Sequence, residues 1–272
     1  MISPGKTVMT ARAFLVVMAA GGCAAPAAAP QPATAATGAA SPSGARAPAA
    51  ILADAVAATG GPQGWRAHRS VHQKLVLTLK GMAMSGPVEH FQTSSDKSLT
   101  VTTLPAVGET RDGSNGSVLW AQDPVNGTRL LEGAEAEQAR IEAAWNLEME
   151  APALFAKIET ASDAPAGLEC LVLTPKIAPP MRACYDRQTH LEVSLEGTRA
   201  TPQGQVPFNS TVSDWRAVGG LKIPYASQMQ AGPVTIVTAL NEIAFDEPLD
   251  DRMFDPPGGV GAAGATSAAP AK

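Results

Sequence analysis

Between residues 71 and 244 the chain is cut into short strand-like runs separated by glycine-, asparagine- and proline-rich turns. In 71–80, Val71, Leu75, Leu77 and Leu79 alternate with His72, Lys74, Thr78 and Lys80, and Val76 is the exception. A period of two gathers the leucines on one face of a strand. Similar runs follow at 88–94, 98–104, 108–111, 117–122 and 128–131, then at 168–174, 181–186, 191–197, 209–218, 222–230 and 234–244. Gly86-Pro87, Asp112-Gly113, Asn115-Gly116, Asn126-Gly127 and Gly219-Gly220 lie between or beside them. Such pairs supply the turn geometry of tight hairpins. The pattern predicts a mainly β, α+β domain built as an antiparallel meander of about eleven strands.

Helical spacing occurs twice. Ile51, Leu52, Ala55 and Val56 share one helix face, and Gly60-Gly61 is a C-terminal stop. The segment 133–158 is rich in Ala, Glu and Leu and predicts a helix over 134–149, with a shorter one from Ala151. Ile141, Trp145 and Met149 form a stripe on it, which either packs against the sheet or lids a cavity.

The ends have a different character. Lys6 and Arg12 precede an apolar stretch at 13–20 and then Gly21-Gly22-Cys23. This is the layout of a secretory signal peptide, too short for a membrane span. Two glycines before a cysteine resemble a bacterial lipobox, which implies that Cys23 receives diacylglycerol and becomes the mature N-terminus. Residues 23–48 then read as a lipidated, Ala/Pro-rich disordered tether, 49–257 as the folded domain and 258–272 as a disordered tail. Cys170 and Cys184 remain as a pair in an oxidising compartment. Their midpoint, Ile177, falls in the turn 175–180, so a hairpin about that turn places them directly opposite, within disulfide reach.

Little points to catalysis. A net charge of −5 without a basic stretch leaves no footprint for nucleic acid. His68, His72, His90 and His190 complete no zinc set and read as exposed strand residues. There is no Gly-x-Ser-x-Gly elbow and no glycine-rich phosphate loop. The acidic clusters at 132–150 and 246–255 read as a solvated helix side and a closing segment. No catalytic residue, metal or cofactor is expected.

Five segments in order resemble the LolA/LolB-like family of periplasmic lipoprotein carriers: Ala58-Thr59-Gly60-Gly61 with Trp65; Asp112-Gly113 with Val118-Leu119-Trp120; Cys184-Tyr185-Asp186-Arg187-Gln188-Thr189; Val218-Gly219-Gly220-Leu221-Lys222-Ile223-Pro224; and Phe254-Asp255-Pro256-Pro257. The resemblance implies a single-domain, unclosed antiparallel barrel with a helical lid. It also implies an apolar cavity for acyl chains of lipids or lipoproteins, lined by Leu75, Leu77, Val101, Trp120, Trp145, Leu171, Leu173, Tyr185 and Val193. Ala24 after Cys23 implies outer-membrane anchoring, facing the periplasm. The alternative under the same fold is an envelope regulator that senses lipid or binds a partner protein.

Overall fold

The computed structural model describes residues 46–201 and 204–260. The segment expected to be a signal peptide, Cys23 and the tail beyond Val260 lie outside the described residues. Four α-helices occur among them: α1 (Pro48–Ala58), α2 (Gly61–Ala67), α3 (Gly133–Glu142) and α4 (Leu147–Leu154). The first six strands are β1 (Ser70–Lys80), β2 (Met84–Thr93), β3 (Lys97–Leu104), β4 (Gly108–Asn115), β5 (Leu119–Asp123) and β6 (Gly127–Leu130). After α3 and α4 come β7 (Lys157–Thr160), β8 (Leu168–Thr174), β9 (Met181–Asp186), β10 (Glu192–Thr201), β11 (Gly204–Val218), β12 (Leu221–Ala231) and β13 (Val234–Phe245).

All thirteen strands form one antiparallel sheet, in the order β6-β5-β4-β3-β2-β1-β13-β12-β11-β10-β9-β8-β7. The chain meanders outward from β1 to β6. The helices α3 and α4 carry it to the far edge, and a second meander returns to β13 beside β1. The barrel is therefore unclosed, and both edge strands are only four residues long, which limits edge pairing. The strand that periodicity does not reveal is β7, where Lys157-Ile158-Glu159-Thr160 offers a single apolar residue. At Gly219-Gly220 both φ angles are positive (52° and 81°), as the two-residue hairpin requires.

The helix expected over 134–149 is two helices. Asn146 ends the first possibility of continuation by capping α4: its Oδ1 accepts from the Met149 N–H at 2.8 Å, and Glu150 Oε1 accepts from the Asn146 N–H at 3.0 Å. The Ile141–Trp145–Met149 stripe is divided accordingly. Ile141 packs with α1 and β8–β10, whereas Trp145 and Met149 pack against the sheet centre.

Direct cross-strand partners share a sheet face, so the inner face can be read row by row. One row runs Leu171–Ala183–Leu195–Ser210–Met229–Ile236–Leu79 from β8 to β1, all buried. Helices α1 and α4 cover its β8–β10 end through Ile51, Leu52, Ala55, Leu147 and Ala151. The outer face of β3–β5 carries a separate cluster of Leu99, Trp120 and Phe254, closed by the 3-10 turn Asp251–Phe254. There the Trp120 indole N–H donates to the Phe254 carbonyl at 2.9 Å. Gly113 faces Trp120 so closely that a Cβ would lie 2.5 Å from the indole ring. Cys170 and Cys184 are directly opposed in the β8–β9 register and joined by a disulfide.

Candidate functional site

A second inner row crosses the other half of the sheet: Gln73–His90–Thr100–Asp112–Ala121–Arg129, from β1 to β6. It is polar at five of its six positions. Helix α3 lies across it and pins the open sheet from both sides. Toward β6, Glu135 receives a bidentate ion pair from Arg129 at 2.6 and 2.8 Å. Toward β10, Gln138 Nε2 donates to the Thr198 carbonyl at 2.6 Å, the Ala200 N–H donates to Gln138 Oε1 at 2.7 Å, and Arg199 pairs with Glu142.

Three carboxylates and two guanidinium groups meet here. Burial pushes the Asp112 carboxyl up to about 7; Arg199 and Arg129 oppose that rise, while Glu142 and Glu135 reinforce it. Burial pushes the His90 imidazole down to about 4. A neutral His90 fits its partners: Nε2 lies 3.4 Å from Gln92 Oε1, which only accepts, and Nδ1 lies 2.9 Å from the Thr100 hydroxyl. Gln92 Nε2 in turn donates to the Ala143 carbonyl at 2.7 Å, which fixes the amide's orientation.

The inner cavity begins at Gln73, His90 and Gln92, and is lined further by Trp65, Trp145, Glu148, Tyr185 and Glu192. Its volume is about 60 Å³. Trp65 and Trp145 meet edge to face at 6.3 Å. Their indole N–H groups are both engaged, Trp65 with Thr59 Oγ1 and Trp145 with the Trp65 carbonyl, each at 3.1 Å. The Tyr185 hydroxyl donates to Glu148 Oε1 at 3.2 Å.

A larger and more apolar space lies on the helical side. Pro48, Ala49, Leu52, Ala53 and Val56 of α1 face Pro62 and Arg66 of α2, Met149 and Pro152 of α4, and Ile158 of β7 across a groove of about 640 Å³. Its charged lining groups are Arg66 and Glu148. The α1 wall is tied to β7 and β8 by Arg46, whose carbonyl accepts from Thr160 Oγ1 at 2.6 Å and whose guanidinium donates to Glu169 at 2.7 Å.

The nine residues expected to line one cavity are distributed among several environments. Leu75 and Leu77 pack in the central core, where Trp145 joins them, and Leu171, Leu173 and Tyr185 pack under α1 and α4. Val101 and Trp120 belong to the opposite face of the sheet, beneath Phe254. Val193 occupies the bulge between Glu192 and Ser194, so that Glu192 rather than Val193 stands opposite Tyr185. Of the nine, Trp145 and Tyr185 line the inner cavity and none lines the outer groove.

The polar row was hidden in the sequence for local reasons. Asp112-Gly113 has the form of a turn, yet it lies inside β4; the turn is made by Asn115-Gly116. His90, read as an exposed strand residue, is buried. The available signal was Gln73, a polar residue at an inward position of the otherwise apolar β1 face.

The fold is LolA-like. A domain described as an outer-membrane lipoprotein-sorting protein from Vibrio parahaemolyticus is similar to it at 11% identity and TM-score 0.51, over 76% of this chain and 96% of that one. A LolA superfamily protein from Nitrosomonas europaea is similar at 14% identity and TM-score 0.52, over 78% and 98%. A DUF1329 family protein from Desulfovibrio piger is similar at 11% identity and TM-score 0.53, over 76% and 96%. No protein-family model and no curated protein matches the sequence.

Proposed function

We propose that this is a lipid-anchored cell-envelope protein that binds an acyl chain of a lipid or lipoprotein in the groove between α1, α2, α4 and β7. The size of that groove carries the reading. Ligand pockets commonly measure about 300–1,000 Å³, a range that includes the outer groove at about 640 Å³ and excludes the inner cavity at about 60 Å³. Leu52, Val56, Met149 and Ile158 give the groove apolar walls. Each methylene buried against them contributes about 0.8 kcal/mol before the costs of association. Arg66, exposed at the groove, suits the phosphate or carboxylate of an amphiphile. The tether 23–48 leads directly into Pro48 and Ala49, so anchoring at Cys23 would hold the groove near a membrane surface.

The test is native mass spectrometry of residues 46–260 isolated from a periplasm without detergent, followed by loading with a fatty acid. An added acyl mass is expected. Ala53→Trp, which fills the groove from an exposed position, is expected to abolish it. Arg66→Gln is expected to weaken fatty-acid uptake while sparing a neutral alkyl probe. A bare protein mass with no uptake overturns the reading.

A further inference from the structure

We propose that the protonated side chain of His68 is a pH-sensitive latch, which ties the β11–β12 hairpin to the end of β13 across a seam in the sheet and lets the hairpin go when the imidazole loses a proton. The inference goes beyond the acyl reading and does not depend on it.

The seam is a gap in the ladder. Strands β12 and β13 pair only from Ala226 with Ala239 to Ala231 with Val234. Toward the hairpin each strand keeps its other neighbour. Strand β12 stays paired with β11 as far as Leu221 with Val218, and β13 stays paired with β1 as far as Phe245 with Val71. Residues 221–225 and 240–245 therefore lie on two sides of the sheet with no ladder between them. Pro224 brings no N–H donor to this stretch. Lys222 and Pro224 on one side of the seam and Phe245 on the other all line the inner cavity.

His68, between α2 and β1, bridges the two sides. Its Nδ1 lies 2.7 Å from Asp246 Oδ2, just past β13, and its Nε2 lies 2.8 Å from the Gly219 carbonyl oxygen at the hairpin tip. The ring stacks on Phe245 at 4.3 Å. A Cβ on Gly219 would come within 3.2 Å of Nε2, so the hairpin tip sits directly against the ring. A carbonyl oxygen only accepts, and so does an ionised carboxylate. Both ring nitrogens must therefore donate, which the imidazolium alone can do. A neutral ring keeps one of these bonds and turns a lone pair toward the other acceptor.

The surrounding charges agree with that state. Asp246 is the charge acting on His68 from β13, and the hairpin presents the Gly219 carbonyl. Arg69 gives its backbone N–H to Asp246 Oδ1 at 2.6 Å. Arg66 lines the outer groove, Lys222 lines the inner cavity, Glu247 faces His72, and Arg216 pairs with Asp214 within β11. Burial works against the charged imidazole, but the hydrogen bonds to Asp246 and Gly219 outweigh it and hold His68 above its ordinary range. Burial likewise works against the Asp246 carboxylate, which the Arg69 N–H and His68 keep below the usual carboxylate range. With the folded value raised, the latch is complete below about 6.5 and is lost as pH rises through the folded value.

The experiment follows the full chain in detergent micelles by histidine NMR and by hydrogen exchange, from about pH 5.5 to about pH 9, with rates corrected for the intrinsic effect of pH. The His68 resonance should titrate above about 6.5. Across that titration the amides of residues 218–222 should lose about tenfold in protection, the scale of one hydrogen bond to a charged group, while those of β8 and β9 keep theirs. In His68→Gln the step should vanish. Asp246→Asn keeps an acceptor for Arg69 and suits the positive φ of 61° at this position. It should lower the His68 titration and carry the exchange step down with it. The proposal is overturned if His68 titrates at or below 6.5, if no step occurs at the hairpin, if the step persists in a folded His68→Gln protein, or if Asp246→Asn leaves both the titration and the step where they were.

Discussion

The two halves of the sheet solve the same burial problem in opposite ways. From β8 to β10 the inner face is mostly leucine, alanine, methionine and tyrosine, with Glu169 and Glu192 flanking Tyr185, and α1 and α4 seal it with apolar side chains. From β1 to β6 one inner row is Gln73, His90, Thr100, Asp112 and Arg129, and α3 covers it with ion pairs and amide hydrogen bonds. Apolar burial is non-directional and scales with area. A buried polar row depends on each partner being present. The apolar half should therefore carry the stability of the domain, and the polar half should carry its pH response between about 4 and about 7.

The largest effect expected on that contrast comes from truncating a core leucine. Leu173→Ala, at a residue 1% exposed, should cost about 2–5 kcal/mol in urea unfolding. Thr100→Val in the polar row, which takes the hydroxyl from His90, should cost only about 1 kcal/mol. Equal costs would break the comparison. Next, replacing Cys170 and Cys184 by alanine opens a cross-link between positions 14 residues apart and should cost about 3 kcal/mol by chain entropy, again measured by urea unfolding under non-reducing conditions.

The pH response sharpens the contrast further. Asp112 titrates near 4 when unfolded and near 7 when folded. The folded state thus holds the extra proton between those values, and this group's contribution to stability falls as pH rises through that window. His90 titrates near 6.5 unfolded and near 4 folded. Its contribution is present above 6.5 and is lost as pH falls toward 4. The two slopes oppose, so the intact protein should show a shallow dependence from pH 4 to 7. Asp112→Asn should unmask the His90 slope and raise stability at pH 8 by about 1–3 kcal/mol, while His90→Gln should unmask the reverse slope. Parallel profiles for the two variants would contradict the assignment. An effect as small as that of Thr100→Val is expected at the link between α3 and α4, where Asn146→Ala should cost about 1 kcal/mol and speed amide exchange in α4.

The apolar half was legible in the sequence because its signals are local. Alternation in β8 and β9, the centring of the turn at Ile177, and the spacing of Ile51, Leu52, Ala55 and Val56 each follow from neighbouring residues. The central glycine hairpin was legible for the same reason. The polar half was not. Asp112 became a site residue only because β4 continues through Asp112-Gly113, which depends on Trp120 packing over Gly113 from the next strand. Glu192 faces inward only because of the bulge at Val193. The outer groove is formed by segments distant in sequence, from Pro48 to Ile158, and its residues carry no shared periodicity. What the sequence missed are relations between elements.

The most direct test of the central claim is the place where an acyl chain labels the protein. A diazirine-bearing fatty acid, bound, irradiated and mapped by peptide mass spectrometry, should mark α1 and α4 at Leu52, Val56 and Met149. Labels confined to Leu75, Leu77 and Leu79 of β1 would place the chain inside the half-barrel and contradict the account.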